Sequence, residues 1–290
     1  MVDREVAEWV GGSGRRHRER NKETRKSEGG EDGPPGSGGS HGDEGTRGGS
    51  RRISGYTRAV NRPGRPTGRF ITIEGPEGAG KTLQASRLAD ALEALGHAVV
   101  LTREPGGTRL GDRLYDLLMS NGEEPIDPIA DALLFNAARA QHVAQVIRPA
   151  IDEGRVVVCA RYADSTLAYQ GYGEGVDLGV LRRIIAIATG GLAPDRTILL
   201  DLPSEAGLRR KTPEHHTRFE LSFDVPFHRR VRAGFLEMAA SDPARWVVVD
   251  ADREADAVFG SVLEAALAVL PEAPVTVAGE PSTPGVRIPS

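Results

Sequence analysis

Residues 69–95 read RFITIEGPEGAGKTLQASRLADALEAL, and this stretch decides the fold. RFITIE (69–74) is a short run rich in β-branched and aromatic residues that ends at a glycine, as a strand does. KTLQASRLADALEAL (81–95) carries apolar residues at 85, 88, 91, 92 and 95. That is helical spacing, and Gly96 supplies a C-terminal stop. Between strand and helix, Gly75-Pro76-Glu77-Gly78-Ala79-Gly80-Lys81-Thr82 matches G-x-x-x-x-G-K-[ST] without a mismatch. Glycines let the backbone turn tightly and aim N–H groups at phosphate oxygens, and the helix N-terminus adds positive potential. Lys81 is expected to reach the outer phosphates and Thr82 to help hold Mg²⁺. Lysine is scarce: the chain has four, and only Lys81 and Lys211 follow residue 68, so this lysine is not filler.

Outward from this unit the chain repeats its strand-and-helix alternation. HAVVLT (97–102), RVVVCA (155–160), RTILLD (196–201) and RWVVVD (245–250) read as further strands, and residues 128–153 as a long helix kinked or ended near Pro149. The strands are apolar throughout rather than alternating, which suits a sheet buried on both faces. Strands separated by helices imply a five-stranded parallel sheet flanked by helices, a three-layer α/β fold.

The flanks differ in composition. The 290-residue chain has a formal net charge of −4, but residues 1–68 hold 14 Lys+Arg against 10 Asp+Glu and 16 of the 36 glycines. The remainder holds 23 basic and 31 acidic residues, a net of −8. The first segment is too poor in aliphatic residues to offset chain entropy by burial, so it is expected to be a disordered basic, Gly-rich extension. Residues 271–290, with five prolines, read as a second disordered tail, leaving 69–270 as the folded domain. The charge excludes a generally basic nucleic-acid binder, and no specific nucleic acid is expected as a partner. A lone Cys159 excludes an intramolecular disulfide framework. MVDREVAEWV lacks the apolar core of a secretory signal, and no apolar run reaches the ~18 residues of a membrane span. A reduced, soluble, cytoplasmic protein follows as the expectation.

A P-loop alone leaves the reaction open, so the later blocks matter. They are Thr102-Arg103-Glu104-Pro105-Gly106-Gly107-Thr108, then Leu134-Phe135-Asn136-Ala137-Ala138-Arg139-Ala140-Gln141-His142. Arg161-Tyr162-Ala163-Asp164-Ser165-Thr166-Leu167-Ala168-Tyr169-Gln170-Gly171 follows, with PDRTILLDL from Pro194 and Arg218-Phe219-Glu220 after it. Phe135 and Arg139 stand four apart on one helix face, a flat ring beside a forked donor.

Blocks and order together resemble the thymidylate kinase (dTMP kinase) family of bacterial type, over about residues 69–270. The resemblance implies a P-loop nucleoside monophosphate kinase fold, transfer of the ATP γ-phosphate to dTMP with Mg²⁺, and a homodimer. It implies roles by position. Residues 75–82 would bind ATP. Glu77 would sit near the dTMP sugar, Phe135 would stack on thymine, and Arg139 would hydrogen-bond its edge. Arg161 would hold the dTMP phosphate, Tyr169 would crowd the 2′ position, Gln170 would contact the base and Arg103 a phosphate. Lys81, Arg161, Glu77 and a lid arginine, Arg210, would form the catalytic set. The chemistry agrees, because phosphoryl transfer between two anions needs positioning and charge neutralisation above all.

Three departures from the family pattern stand out. Ala160 occupies the place of an aspartate that helps hold the Mg²⁺ water shell. The lid, RRKTPEHHTRFE from Arg209, has fewer arginines than usual, and its His215-His216 pair reads as exposed rather than metal-binding, since adjacent histidines diverge. Leu83 stands where a second threonine is usual. These departures motivate an alternative, a catalytically weakened nucleotide-binding protein of the same fold; a kinase for another nucleoside monophosphate is a third reading.

Overall fold

The computed structural model describes residues 68–120, 125–210, 223–271 and 286–287. The chain alternates strand and helix as expected. β1 (Arg69–Glu74) leads through the glycine loop into α1 (Lys81–Ala94), then β2 (Val99–Arg103), α2 (Arg109–Met119) and α3 (Pro128–His142). The rod begun by α3 continues through a π-helical segment (Val143–Ile147) into α4 (Arg148–Asp152). β3 (Val156–Ala160) is followed by α5 (Ala163–Thr166), a second π-helical segment (Leu167–Gly173) and α6 (Leu178–Thr189). β4 (Arg196–Asp201), α7 (Ser204–Arg210), α8 (Val225–Ser241), β5 (Trp246–Asp250) and α9 (Ala255–Leu267) complete the domain.

The five expected strands pair in parallel, in the order β5-β4-β1-β3-β2. A two-residue strand, β6 (Val286–Arg287), joins the outer edge of β2, also in parallel, so this part of the expected C-terminal tail sits in the sheet. The chain climbs to β2 and β3 on one side of β1 and crosses to β4 and β5 on the other. In such open sheets ligands bind beyond the carboxyl ends of the strands, at the point where direction reverses. Glu74, Ala160 and Asp201 all lie at that end.

Side chains alternate across the sheet. Ile71 and Ile73 of β1 enter one core with Leu88 and Leu92 of α1 and Val262 of α9. Phe70 enters the opposite core with Val157, Ile147 and Tyr162, and Thr72 and Glu74, at the same period of two, point that way as well. Each fully buried Ile, Leu or Phe stabilises the fold by about 1.5–3 kcal/mol, so the sandwiched strands β1 and β4 anchor it. β5 departs from the two-faced expectation: it is an edge strand, and Val248 is half-exposed.

The helix does not end at Pro149 itself but runs on to Asp152. The proline stands in the first turn of α4, just after the rod widens to π geometry. Proline lacks an N–H and collides with the carbonyl four residues back, and a π turn provides the slack. Helix starts are mostly capped: Asp127, Thr108, Asp177 and Asp224 accept first-turn N–H groups of α3, α2, α6 and α8. α1 instead starts at left-handed Gly80 with no side-chain cap, which leaves its first-turn N–H groups to an anion.

Candidate active site

The phosphate loop is built on backbone contacts. Gly78 has φ +72°, and a Cβ there would stand 2.1 Å from the carbonyl oxygen of Gly207 in α7. A Cβ on Gly207 would stand 2.1 Å from the carbonyl oxygen of Glu77. Only glycine at both positions lets the loop and the helix touch. Lys81 is nearly buried, and its ammonium donates to the carbonyls of Gly75 (3.0 Å) and Pro76 (2.6 Å). Thr82 beside it is exposed.

A charged cluster faces this loop from the turn after β3. Arg161 donates through Nη2 to Glu77 Oε1 and to the Tyr169 hydroxyl (3.2 Å), and through Nη1 to Ser165 Oγ (3.3 Å). Tyr169 in turn donates to Glu77 Oε1 at 2.9 Å. Burial opposes the charged guanidinium, but Glu77, Tyr169 and Glu74 outweigh it and hold Arg161 above the usual arginine range. Burial pushes the Tyr169 hydroxyl well above its ordinary range, so it remains a donor.

Behind Arg161 lies a residue that the motif reading passed over. Glu74 is fully buried; Oε1 accepts from the Tyr162 backbone N–H (2.7 Å) and Oε2 from Ser165 Oγ (2.6 Å). Burial, then the charge of Asp164, push its carboxyl up to about 7 against the pull of these donors. Asp164 is itself held by Arg245 through two hydrogen bonds, of 2.6 and 3.2 Å. The signal available in the sequence was an acid closing an otherwise apolar buried strand.

Phe135 is half-buried against the cluster of Tyr169, Phe227 and Phe235. Arg139, one turn on, is 2 % exposed. It donates to Glu104 Oε2 (2.8 Å), Asn136 Oδ1 (2.8 Å), Thr166 Oγ1 (3.1 Å) and the Tyr162 carbonyl (3.1 Å). Among the described residues these contacts commit four of its five N–H groups. Glu104 also binds His142 Nδ1 (3.1 Å); a carboxylate only accepts, so that nitrogen carries a proton. Gln170, 1 % exposed, donates to buried Asp131 at 2.9 Å. Arg103 donates to the Pro105 carbonyl (2.8 Å) and stacks on Tyr115, 4.8 Å from the ring centre.

Arg210 stands apart from this group. It donates to the Ala251 carbonyl and to Asp252, both at 3.1 Å, beyond the end of β5. Lys211, the His215-His216 pair, Arg218 and Glu220 lie outside the described residues.

The thymidylate kinase family model matches residues 73–262. That span covers more than half of the chain and contains every block described above. This chain belongs to the thymidylate kinase family. It is 51% identical over 189 residues to the thymidylate kinase of Deinococcus radiodurans, covering 65% of this chain and 91% of that protein. It is 52% identical over 200 residues to that of Thermomicrobium roseum, covering 67% and 94%. A crystal structure of thymidylate kinase from Ehrlichia chaffeensis superimposes with a TM-score of 0.56 at 33% identity, covering 69% of this chain and 98% of that one.

Within this thymidylate kinase-family fold, Ala160 ends β3 in register with Ile73, nearly buried. Neither aspartate nearest to hand in the sequence is free to replace a carboxylate there. Asp164 is paired with Arg245, and Asp201 is gripped by Arg232 at 2.7 and 2.8 Å. Leu83 is 48 % exposed on α1, away from the core.

Proposed function

We infer that the protein transfers the γ-phosphate of ATP to dTMP, giving dTDP and ADP. The family assignment supports the reaction, and the observation that carries the chemistry is that Arg161 and Tyr169 both bond to Glu77 of the glycine loop. ATP binds along residues 75–82, with its outer phosphates on the loop N–H groups, the α1 N-terminus and Lys81. The two loop carbonyls that hold the ammonium give way to phosphate oxygens, which are stronger partners. Arg161 takes the dTMP phosphate, and its fork suits a terminal phosphate better than a single ammonium does. Glu77 keeps that fork aimed and faces the sugar. Tyr169 closes the site beside the 2′ position. Phe135 supports the base, Gln170 contacts it, and Arg139 offers its remaining N–H to the base edge. Arg103 serves a phosphate. Arg210 becomes catalytic by exchanging Asp252 for an oxygen of the transferred phosphate.

Mg²⁺ fits this site as a lightly held ion. Among the described residues no cluster of three acidic, His or Cys side chains could cage a metal, while Thr82 presents an exposed hydroxyl beside Lys81. Mg²⁺ commonly takes one or two protein ligands plus substrate phosphates and water. When bound with ATP it neutralises developing phosphate charge.

The enzyme works as a homodimer. Ile129 and Leu133, one turn apart on α3, and Ile187 on the adjacent α6 are all 40 % exposed or more. No helix among the described residues is long and apolar enough to cross a membrane, and a cytoplasmic location accords with the single buried free Cys159. Residues 69–270 carry the activity, between an N-terminal extension and a C-terminal tail. A coupled ADP-release assay with dTMP tests the reaction on the native chain, Lys81→Ala and Ala160→Asp side by side. Absence of dTMP-dependent turnover at micromolar native enzyme would refute it.

A further inference from the structure

We propose that Glu74 is a positioning residue for Arg161: its buried carboxylate holds the backbone just after that arginine and, through Ser165, the arginine side chain, and thereby sets where the guanidinium points. The proposal rests on the reading that Arg161 holds the dTMP phosphate, and goes beyond it by naming what keeps Arg161 in place.

Arg161 has φ +66°, the one non-glycine residue with a positive φ among those described. Such a conformation costs on the order of 1–3 kcal/mol and persists only when the surroundings over-determine it. Those surroundings are visible. The Arg161 N–H donates to the Ile73 carbonyl at 2.9 Å, pinning the turn to β1. The next N–H, of Tyr162, donates to Glu74 Oε1, and the Ser165 hydroxyl donates to Oε2. Ser165 Oγ then accepts from Arg161 Nη1, so the same hydroxyl links Glu74 to the guanidinium itself. One carboxylate therefore grips the backbone just after Arg161 and, through Ser165, the side chain.

Glu74 is 0 % exposed, so it reaches substrate only through these partners. The charged and titratable groups around it are Arg161 on the turn, Asp164 on α5 and the Cys159 thiol on β3. Asp164 is tied to Arg245 rather than to Arg161. Glu74 thus makes the carboxylate contacts that reach the turn from β1. A buried acid beside another acid is unfavourable, which is why its carboxyl is pushed up to about 7. Its retention there is explained by the ionised form accepting both donors at once.

A double-mutant cycle tests this. kcat/KM for dTMP is measured for Glu74→Ala, Arg161→Ala and the double variant, together with affinity for a fluorescent ATP analogue. Glu74→Ala is expected to lower kcat/KM for dTMP roughly 10–100-fold, the scale of a misplaced positioning group, with ATP-analogue affinity within about threefold of the parent. In the Arg161→Ala background the same change is expected to cost less than about twofold, because its target is gone. Equal losses in both backgrounds, or an equal loss of ATP-analogue affinity, would overturn the proposal. An Arg161→Ala variant with undiminished kcat/KM would instead remove the underlying reading of Arg161. If Glu74→Ala does not fold, Ser165→Ala takes its place in the cycle, since it deletes the hydroxyl joining Glu74 to Arg161, with the same two outcomes.

Discussion

The guanidinium of Arg161 and the carboxylate of Glu77 are ion-paired, joining the turn after β3 to the loop after β1. Tyr169, eight residues beyond Arg161, bonds to both, so the segment after β3 meets a loop more than eighty residues earlier in the chain. A single ammonium cannot span Glu77, Tyr169, Ser165 and a substrate phosphate together. Arg161→Lys is therefore expected to raise KM for dTMP by about 10–100-fold and to lower kcat, while KM for ATP changes little. Steady-state kinetics with each substrate varied in turn would show it; an unchanged KM for dTMP contradicts this placement.

Lys81 donates to two loop carbonyls, those of Gly75 and Pro76. Its removal costs two charge-assisted hydrogen bonds of the folded protein, about 1.5–3 kcal/mol each at most, but relieves a nearly buried cation. Lys81→Ala should thus unfold within a few degrees of the parent yet lose at least about 100-fold in kcat, as a transition-state charge is left unpaired. Thermal unfolding and ADP release, measured on the same preparation, separate the two effects. Activity within tenfold of the parent would argue against the assigned role.

Gly78 and Gly207 leave no room for a methyl group between loop and helix. Gly207→Ala is expected to cost about 1–3 kcal/mol of stability, since the obstacle is a backbone oxygen and not a side chain that can move aside. Gly78→Ala adds the left-handed penalty and should cost more. Both should weaken ATP binding. Denaturant titration and nucleotide affinity decide the point, and an alanine tolerated at either place would show the contact to be loose.

Glu74 gives a pH-dependent prediction. Its carboxyl is raised from 4.5 to about 7 in the folded protein, so the folded state holds the proton more tightly than the unfolded one. The stability this contributes is full below pH 4.5 and is lost as pH rises through 7. Glu74→Gln cannot ionise, so relative to the parent it should gain up to about 3 kcal/mol between pH 4.5 and 8, any constant offset aside. Urea titrations at several pH values would reveal the trend; a flat difference would contradict it.

Leu133 and Ile187 are exposed, so charge there leaves the core intact. The parent should sediment at twice 31.0 kDa, and Leu133→Glu or Ile187→Glu should shift it toward the monomer without lowering the unfolding temperature of the subunit. A monomeric parent at micromolar concentration refutes the dimer.

The sheet was legible because its strands are continuous apolar runs, and β1 and β4 fall at the expected residues. The phosphate loop was legible because its chemistry demands glycines and a lysine at fixed spacing. Helices such as α2 and α8 were harder to see. Gly111 sits in the first turn of α2, and Arg229, Arg230 and Arg232 interrupt the apolar pattern of α8, where tertiary packing overrides propensity. Glu74, Glu104 and Asp131 escaped notice because nothing local marks an acid that is satisfied across the fold. The partners of Glu74 lie about ninety residues away. The sheet edge at Val286–Arg287 carries no motif at all.

The π-helical segment Leu167–Gly173 has one further consequence. Ala168, Tyr169, Gln170 and Gly171 are buried in succession, and neighbouring Tyr169 and Gln170 reach different partners, Glu77 and Asp131. The wider turn sets the angular phase of the whole segment. Deleting one residue would let it relax to ordinary α-helix and advance everything beyond the cut by about 100°. Tyr169 and Gln170 would then rotate away from Glu77 and Asp131 together, with both residues still present in the chain. For this enzyme, the count of residues between Thr166 and Glu174 matters as much as their identity.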